Sequence, residues 1–391
     1  MNPNLWLLVA CQGLFFTNNV TFIAINGLVG LSLAPLGWMA TLPVMGYVVG
    51  GALSTGLVAR TQKRHGRKVS FQIGLAVGAA SSLLCAWAAY SSHFWLLVAA
   101  TVVAGYYNAN AQLYRFAAAE LAEPSKREKA VSLVMAGGLI GAIAGPNLAA
   151  ATRDLTTVPF AGAYFSLALV AALGMVLLAF IQFPPMPQKS NTDGGRPLSE
   201  IMRQPTFIVA AAAGALGYGV MNLLMAATPL AMQTCGLPFS DAALVLQWHV
   251  IGMFAPGFFT GHLIKRFGNM NVMAVGLALN VACVMVAVAG VELHHFEIAL
   301  FLLGVGWNFL FTASTALSLS TYRPEERDKA QGALNFCVFA VMAVSSFASG
   351  VLVTSQGWTW LNLGSLLPLG LTGAGLLWLA RSHRASKAAG A

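Results

Sequence analysis

Residues 184–205 read PPMPQKSNTDGGRPLSEIMRQP, and they form the one long polar stretch rich in proline and glycine in this chain of 391 residues. Long apolar stretches dominate the sequence on both sides of it. Overall, 58% of the residues are hydrophobic and 8% are charged, whereas about a quarter of the residues of an ordinary soluble chain are charged. The composition therefore indicates a membrane protein and excludes a soluble enzyme, so we expect neither enzymatic activity nor a cofactor.

Twelve apolar stretches are long enough to span a membrane as helices, which takes about 20 residues each. They lie near 5–31, 36–59, 69–90, 94–119, 130–151, 160–183, 206–231, 241–264, 270–290, 298–320, 330–353 and 359–380. Six of them precede the polar stretch and six follow it. The sequence therefore predicts an all-α membrane protein with twelve transmembrane helices.

The two sets of six stretches resemble each other. Residues 123–130 (EPSKREKA) match residues 323–330 (RPEERDKA) at an offset of 200, and Asn108 matches Asn308 at the same offset. We interpret the chain as two pseudo-symmetric six-helix bundles, residues 1–183 and 206–391, joined by a cytoplasmic linker at 184–205. Duplicated halves of this kind are typical of secondary transporters with a site at their interface.

The basic residues indicate how the chain crosses the membrane. With both termini in the cytoplasm, all of the 21 lysines and arginines except Arg115 and Arg153 fall in cytoplasmic segments. Membrane proteins carry such an excess of basic residues on the cytoplasmic side. The net charge of +9 is therefore explained by topology, so we expect no nucleic-acid partner. A multi-pass protein of the bacterial inner membrane, in contact with the lipid bilayer, is predicted.

The loop after the second stretch carries a basic motif, Arg64-His65-Gly66-Arg67-Lys68, which is repeated more weakly at residues 261–268. With the twelve stretches, it resembles the gating loop of the major facilitator superfamily. The resemblance implies that fold and transport by alternating access. Lys63 stands near the place of the family's acidic residue, so the usual charge network of the inner gate is not expected in its ordinary form.

The apolar stretches contain soft metal ligands but no carboxylate at membrane depth. Met221 and Met225 lie on the seventh stretch, and His249 and Met253 lie on the eighth. The i, i+4 spacing places each pair on one helix face, and the four residues lie at similar depths. Thioether and imidazole ligands together select copper over magnesium, calcium or manganese. Methionine also commonly fills gaps in packed cores, and packing explains either pair taken alone.

These two pairs are similar to those of the CcoA-type copper importers within the superfamily. The resemblance implies that Met221, Met225, His249 and Met253 are copper ligands, with Cys235 in an accessory role. It also implies copper as the transported substrate, a cytoplasmic copper acceptor, a monomer, and a role in the assembly of cytochrome c oxidase. Copper import into the cytoplasm is accordingly the function that the sequence predicts.

Two other interpretations stay open. The first is a carrier of a hydrophobic organic solute or drug, which would use an apolar cavity lined by tryptophan and phenylalanine. The second is a copper receptor or assembly factor that does not transport. A further group, Glu292, His294 and His295, could collect a metal ion, although an ordinary solvated loop explains it more simply.

Overall fold

In the computed structural model, which describes residues 3–123, 126–184, 195–323 and 326–389, the first part of the chain forms seven α-helices. Their bounds are α1 Pro3–Leu33, α2 Leu42–Tyr90, α3 Phe94–Ala111, α4 Tyr114–Leu121, α5 Arg127–Ala136, α6 Gly138–Thr152 and α7 Ala161–Ala179. We refer to residues 3–184 as the N-terminal half.

The remainder, residues 195–389, is called the C-terminal half and forms eight α-helices. Their bounds are α8 Leu198–Met202, α9 Pro205–Thr234, α10 Phe239–Phe254, α11 Gly257–Phe267, α12 Asn269–Ala289, α13 Leu293–Ser318, α14 Arg327–Ser355 and α15 Gly357–Ala389. Every α-helix or shorter helical turn in the described part of the chain lies in or beside one of the predicted stretches, apart from the short α8.

The helices account for twelve membrane crossings. Nine helical segments of the described residues are long and apolar enough to cross a membrane, and α10 with α11, bent by 42°, makes a tenth. The segment Gly37–Tyr90 has 54 residues, far more than one crossing requires, and it therefore supplies two. The twelfth is α3 followed directly by α4. The predicted all-α fold with twelve transmembrane helices is thus confirmed.

The second and third crossings follow each other directly and meet at a kink at Gly66, where the backbone leaves the helical conformation. Gly66 has a φ of +80°, a conformation that residues with a Cβ adopt at a steric cost. Gly268 occupies the corresponding place in the C-terminal half with φ +83°. The two glycines explain why both loops can be so short.

The two ends of the helix bundle differ in charge. We call the end with residues 60–68, 126–129, 265–266, 323 and 326–329 the basic face. The opposite face carries residues 34–41, 153–160, 235–238 and 290–292. The positions of the residues between the two halves are described below relative to these two faces.

The hydrophobic core joins the two halves toward the opposite face and divides them toward the basic face. One large cluster contains residues from both halves, among them Leu28 and Leu230. Nearer the basic face, one cluster around Phe15 and Phe71 lies within the N-terminal half, and another around Met273 and Leu310 lies within the C-terminal half. The halves are therefore packed together at one end and separated at the other.

The polar stretch is described only in part. Residues 185–194 of the predicted linker lie outside the described residues, as do residues 124–125 and 324–325 of the matching loops. The last part of the linker forms α8, and α9 starts at Pro205. The bounds given above for the two bundles stay a prediction.

Candidate functional site

Hydrogen bonds made by side chains close the opposite face. The Thr41 hydroxyl donates to the Ser346 carbonyl oxygen (2.7 Å) and accepts from the Gly350 N–H (3.0 Å). Asn147 Nδ2 on α6 also donates to Gln247 Oε1 on α10 (2.8 Å). Each of these bonds links the N-terminal half to the C-terminal half, so the structure is sealed at this end.

A cavity of about 250 Å³ lies between the halves at the basic face. Its walls include Arg115 and Phe116 of the N-terminal half. The wall of the C-terminal half is formed by residues of α9, α13, α14 and the loop before α14, including Phe311, Tyr322, Arg327 and Gln331. With the opposite face sealed, this arrangement gives access to the interface from the basic face alone.

Five aromatic side chains, Phe16, Tyr218, Phe254, Trp307 and Phe311, form what we call the aromatic cluster. The rings of Trp307 and Phe311 are stacked, with 5.3 Å between their centroids and 8° between their planes. The ring of Tyr218 meets each of them edge-on, at a centroid distance of 5.2 Å. Phe311 also lines the cavity. Aromatic rings prefer these offset-stacked and edge-on arrangements, so the cluster is a well-packed surface beside the open cavity.

The aromatic cluster connects the two halves. Phe16 on α1 meets Phe254 on α10 with 4.7 Å between ring centroids, and Phe254 lies 6.5 Å from Trp307. Phe16 also packs directly against α6, because Gly138 and Gly141 of that helix have no side chain to separate them from it. A flat solute that separates Phe16 from Phe254 would exchange these contacts for contacts with its own faces.

Two buried polar atoms without a partner belong to Trp307 of the aromatic cluster and to Gln12, a neighbour of Phe16 on α1. Trp307 Nε1 and Gln12 Oε1 are both buried without a hydrogen-bond partner. Gln12 lies one helical turn before Phe16 on α1 and so shares its face. The same helix also carries a polar pair, since Asn19 Nδ2 donates to the Tyr47 hydroxyl (3.0 Å). The interface therefore offers a donor and an acceptor as well as aromatic surface.

The four residues predicted as copper ligands are all buried. Met221, Met225 and Met253 belong to the large hydrophobic cluster that joins the halves, and His249 is fully buried. His249 Nδ1 lies 2.7 Å from the Leu300 carbonyl oxygen, while its Nε2 has no partner. Metal coordination by these four side chains stays a prediction.

Cys235, the predicted accessory residue, ends α9 and is exposed at the opposite face. Partial burial raises the pKa of its thiol, which favours the protonated form over the thiolate that binds metals. In another loop of the opposite face, ligand atoms of Glu292, His294 and His295 lie within 4.8 Å of one another. His294 Nδ1 is 3.4 Å from Glu292 Oε2, so an ordinary surface contact between an imidazole and a carboxylate accounts for part of this grouping.

The basic motif is paired within its own half. Arg67 Nε donates to Glu120 Oε2 (2.6 Å), and Arg67 Nη1 donates to Gln62 Oε1 (2.7 Å). Glu120 comes from the end of α4, so this acid partly takes the place of the carboxylate that the loop lacks. The pair fixes the loop to the fourth crossing.

Sequence reasoning did not assign the aromatic cluster to a site. It expected tryptophan and phenylalanine only as general lining for the alternative organic solute. A signal was present in the i, i+4 pair Trp307 and Phe311, which spacing places on one helix face. What the spacing could not show is that Tyr218 and Phe254, from two other helices, complete the same surface.

Two halves that are sealed at one face and separated at the other, with an aromatic and polar interface between them, define a membrane transporter of the secondary type. The chain belongs to the Major Facilitator Superfamily, whose family model matches residues 5–290 and 215–391. The same fold appears in a solved bacterial homologue of the human lysosomal transporter Spinster, with a TM-score of 0.74 and 15% identity over 97% of this chain and 98% of that one. The nucleoside transporter NupG gives a TM-score of 0.75 and 12% identity over 97% and 99%.

Relatives by sequence also cover nearly the whole chain. The riboflavin transporter RfnT of Brucella anthropi is 40% identical over 364 residues, which is 92% of this chain and 91% of that protein. An uncharacterised transporter of the superfamily from Bacillus subtilis, YdeG, is 28% identical over 89% of this chain and 85% of its own length.

The prediction of copper import was wrong, and with it copper as the partner. A relative that is 40% identical over 92% of the chain is named for riboflavin, an organic solute. The same finding contradicts the interpretation of the protein as a copper receptor or assembly factor. The function was inferred from a methionine spacing that packing also produces, because flexible methionine side chains fill the gaps between packed helices, and Met221, Met225 and Met253 are buried in a hydrophobic cluster. The alternative of an organic solute carrier agrees better with the relatives.

Proposed function

We propose that the protein transports riboflavin across the bacterial inner membrane by alternating access. The observation that carries this proposal is the aromatic cluster, which joins the two halves beside the cavity between them. The relative from Brucella anthropi, named a riboflavin transporter, supports the choice of solute.

The chemistry of riboflavin suits this interface. Its isoalloxazine ring is flat and aromatic, and stacking of a flat heteroaromatic ring on an aromatic side chain contributes about 1–3 kcal/mol. Ligand pockets combine such apolar surface with a few polar groups that fix orientation. Trp307 and Phe311 offer the stacking surface, and the unpaired atoms of Trp307 and Gln12 offer hydrogen bonds.

The basic face supports the orientation in the membrane. Basic loops favour the cytoplasmic side, so we place the basic face and both termini in the cytoplasm. The conformation described here then opens toward the cytoplasm. In the other conformation the contacts of Thr41 and of Asn147 at the opposite face separate, and the basic face closes.

Uptake of labelled riboflavin tests the proposal in bacteria that can neither make nor import this vitamin. Cells that produce the protein should take up riboflavin and grow at low riboflavin concentrations. Trp307→Ala should reduce uptake about fivefold or more, because it removes the stacking surface. Trp360→Ala is the matched control, since Trp360 is 63% exposed on the outside of the bundle, and it should leave uptake unchanged.

Riboflavin uptake no higher than in cells with an empty vector, with the protein present in the membrane, would contradict the proposal. Equal uptake by the Trp307→Ala variant and the unaltered protein would contradict the role of the aromatic cluster. Labelled uptake is also measured with an excess of unlabelled riboflavin or of an unrelated organic solute. Inhibition by riboflavin alone indicates a flavin carrier, and inhibition by both indicates a general drug carrier.

A further inference from the structure

The indole N–H of Trp307 is a fixed hydrogen-bond donor that has no partner in the protein. Trp307 is 7% exposed and its Nε1 is unpaired. Phe311 covers its ring from one side, and Tyr218 and Phe254 meet it edge-on. Three neighbouring rings therefore restrict how the indole can turn. An unpaired donor in a membrane interior is costly, and a substrate that accepts a hydrogen bond here removes that cost.

Gln12 is the corresponding acceptor on the other half. It is 3% exposed, and its Oε1 has no partner. Because Gln12 and Phe16 are four residues apart, they lie on the same face of α1. That face meets the C-terminal half, as the contact of Phe16 with Phe254 shows. The unpaired oxygen thus belongs to the side of α1 that borders the substrate interface.

Arg115 Nε, at the wall of the cavity between the halves, is also unpaired. The unpaired atoms of Asn280 and His295 lie away from this interface. Asn280 faces the backbone of Gly306, so it belongs to the contact between α12 and α13 within the C-terminal half. His295 packs on Gly290 in the loop at the opposite face. Their positions distinguish them from Trp307 and Gln12, which the rings of Phe16 and Phe254 connect across the two halves.

We propose that Trp307 and Gln12 bind the two ends of the substrate, so that each half of the protein recognises a different part of it. This inference rests on the proposed transport of riboflavin. The isoalloxazine ring lies on the aromatic side chains of the C-terminal half, and one of its carbonyl oxygens accepts from the Trp307 N–H. The ribityl chain extends toward the N-terminal half, where one of its hydroxyls donates to Gln12 Oε1.

Binding of two flavins to two variants tests this arrangement. Lumiflavin has the same ring as riboflavin but carries a methyl group in place of the ribityl chain. Affinities of the purified full-length protein for both are measured by titration of flavin fluorescence. Trp307→Phe keeps an aromatic ring and removes the N–H, so it should weaken binding of both flavins about three- to tenfold, the usual effect of one lost hydrogen bond.

Gln12→Leu should weaken riboflavin binding by a similar factor and leave lumiflavin binding within about twofold. Retained lumiflavin binding also shows that this variant is folded. Gln72→Leu is the matched control in the N-terminal half, because Gln72 bonds to the Met175 carbonyl between α2 and α7, away from the aromatic cluster. It should change neither affinity.

Three results overturn the arrangement. Equal weakening of both flavins by Gln12→Leu means that Gln12 does not bind the ribityl chain. No weakening by Trp307→Phe means that the indole donates no hydrogen bond to the ring. In either case the proposed function stands as long as the unaltered protein transports riboflavin. An unaltered protein that binds neither flavin overturns both proposals.

Discussion

Glu326 is fully buried, although it lies in a loop at the basic face. Its carboxylate accepts hydrogen bonds from the Arg196 guanidinium (3.0 and 2.9 Å), from the Arg196 backbone N–H (2.7 Å) and from the Arg323 N–H (2.9 Å). The hydrogen bonds from Arg196 and Arg323 hold the pKa of Glu326 well below its usual range. The pair therefore fixes the end of the linker to the loop before α14.

We expect the stabilisation that the Glu326 carboxylate gives to the C-terminal half to decrease in acid. A carboxylate whose pKa is lower in the folded protein stabilises it above the ordinary glutamate pKa of about 4.3, and this contribution decreases as the pH falls below that value. Glu326→Gln should therefore lower the thermal unfolding midpoint at pH 7, and the difference from the unaltered protein should shrink at pH 4 and below. A difference that is independent of pH would contradict this account.

Residue patterns did not identify the substrate. The spacing of Met221 with Met225 and of His249 with Met253 places each pair on one helix face, and all four residues are buried. It could not distinguish ligands from packing, because both uses require the same i, i+4 spacing. The residues of the aromatic cluster come from four helices, and their meeting depends on helix packing that no local spacing records.

Helix elements approach closely where glycines face one another. Gly105 on α3 lies directly against the backbone of Gly50 and Gly51 on α2, and a Cβ at Gly105 would overlap that backbone. Small residues allow helices in membranes to come into such contact. The second and fourth crossings are held together in this way.

Gly105→Ala should destabilise the protein by about 1–3 kcal/mol, the usual cost of overpacking, because two helix backbones must separate. The control is Gly56→Ala on α2, where a Cβ would meet no atom within 4 Å. Alanine there should be neutral or slightly stabilising, since it favours the helix more than glycine does. Thermal unfolding in detergent compares the variants, and equal midpoints for the two would contradict the close contact.

Hydropathy predicted the crossings at the level of elements, since burial in lipid requires long apolar helices with satisfied backbone groups. It did not predict that the second and third crossings meet directly at a kink. That short connection depends on the positive φ of Gly66, and glycine alone in a sequence does not reveal which conformation it adopts. Nor did it predict the bend between α10 and α11.

At the scale of the whole molecule, transport requires the opposite face to open. We expect a cysteine pair at Asn147 and Gln247, whose side chains are hydrogen-bonded across the halves (2.8 Å), to prevent this when it is oxidised to a disulfide. Riboflavin transport should then fall to background and return after reduction. The exposed Cys235 is first replaced by serine, and each single cysteine variant serves as a control.

Full transport by the oxidised double-cysteine protein would contradict alternating access between these halves.

The distribution of basic residues indicated from the sequence that the two faces differ, and the repeat indicated two related halves. Which face is open could not be predicted, because the sequence is compatible with both conformations. The hydrophobic clusters decide it here, since the halves share a core only toward the opposite face.

The most direct test is counterflow of riboflavin in vesicles that contain only the purified protein. Vesicles loaded with unlabelled riboflavin should transiently accumulate labelled riboflavin from outside, and Trp307→Ala should abolish or strongly reduce this exchange while Trp360→Ala preserves it. Absence of exchange by the folded, unaltered protein, or undiminished exchange by Trp307→Ala, would contradict a riboflavin carrier that works through the aromatic interface.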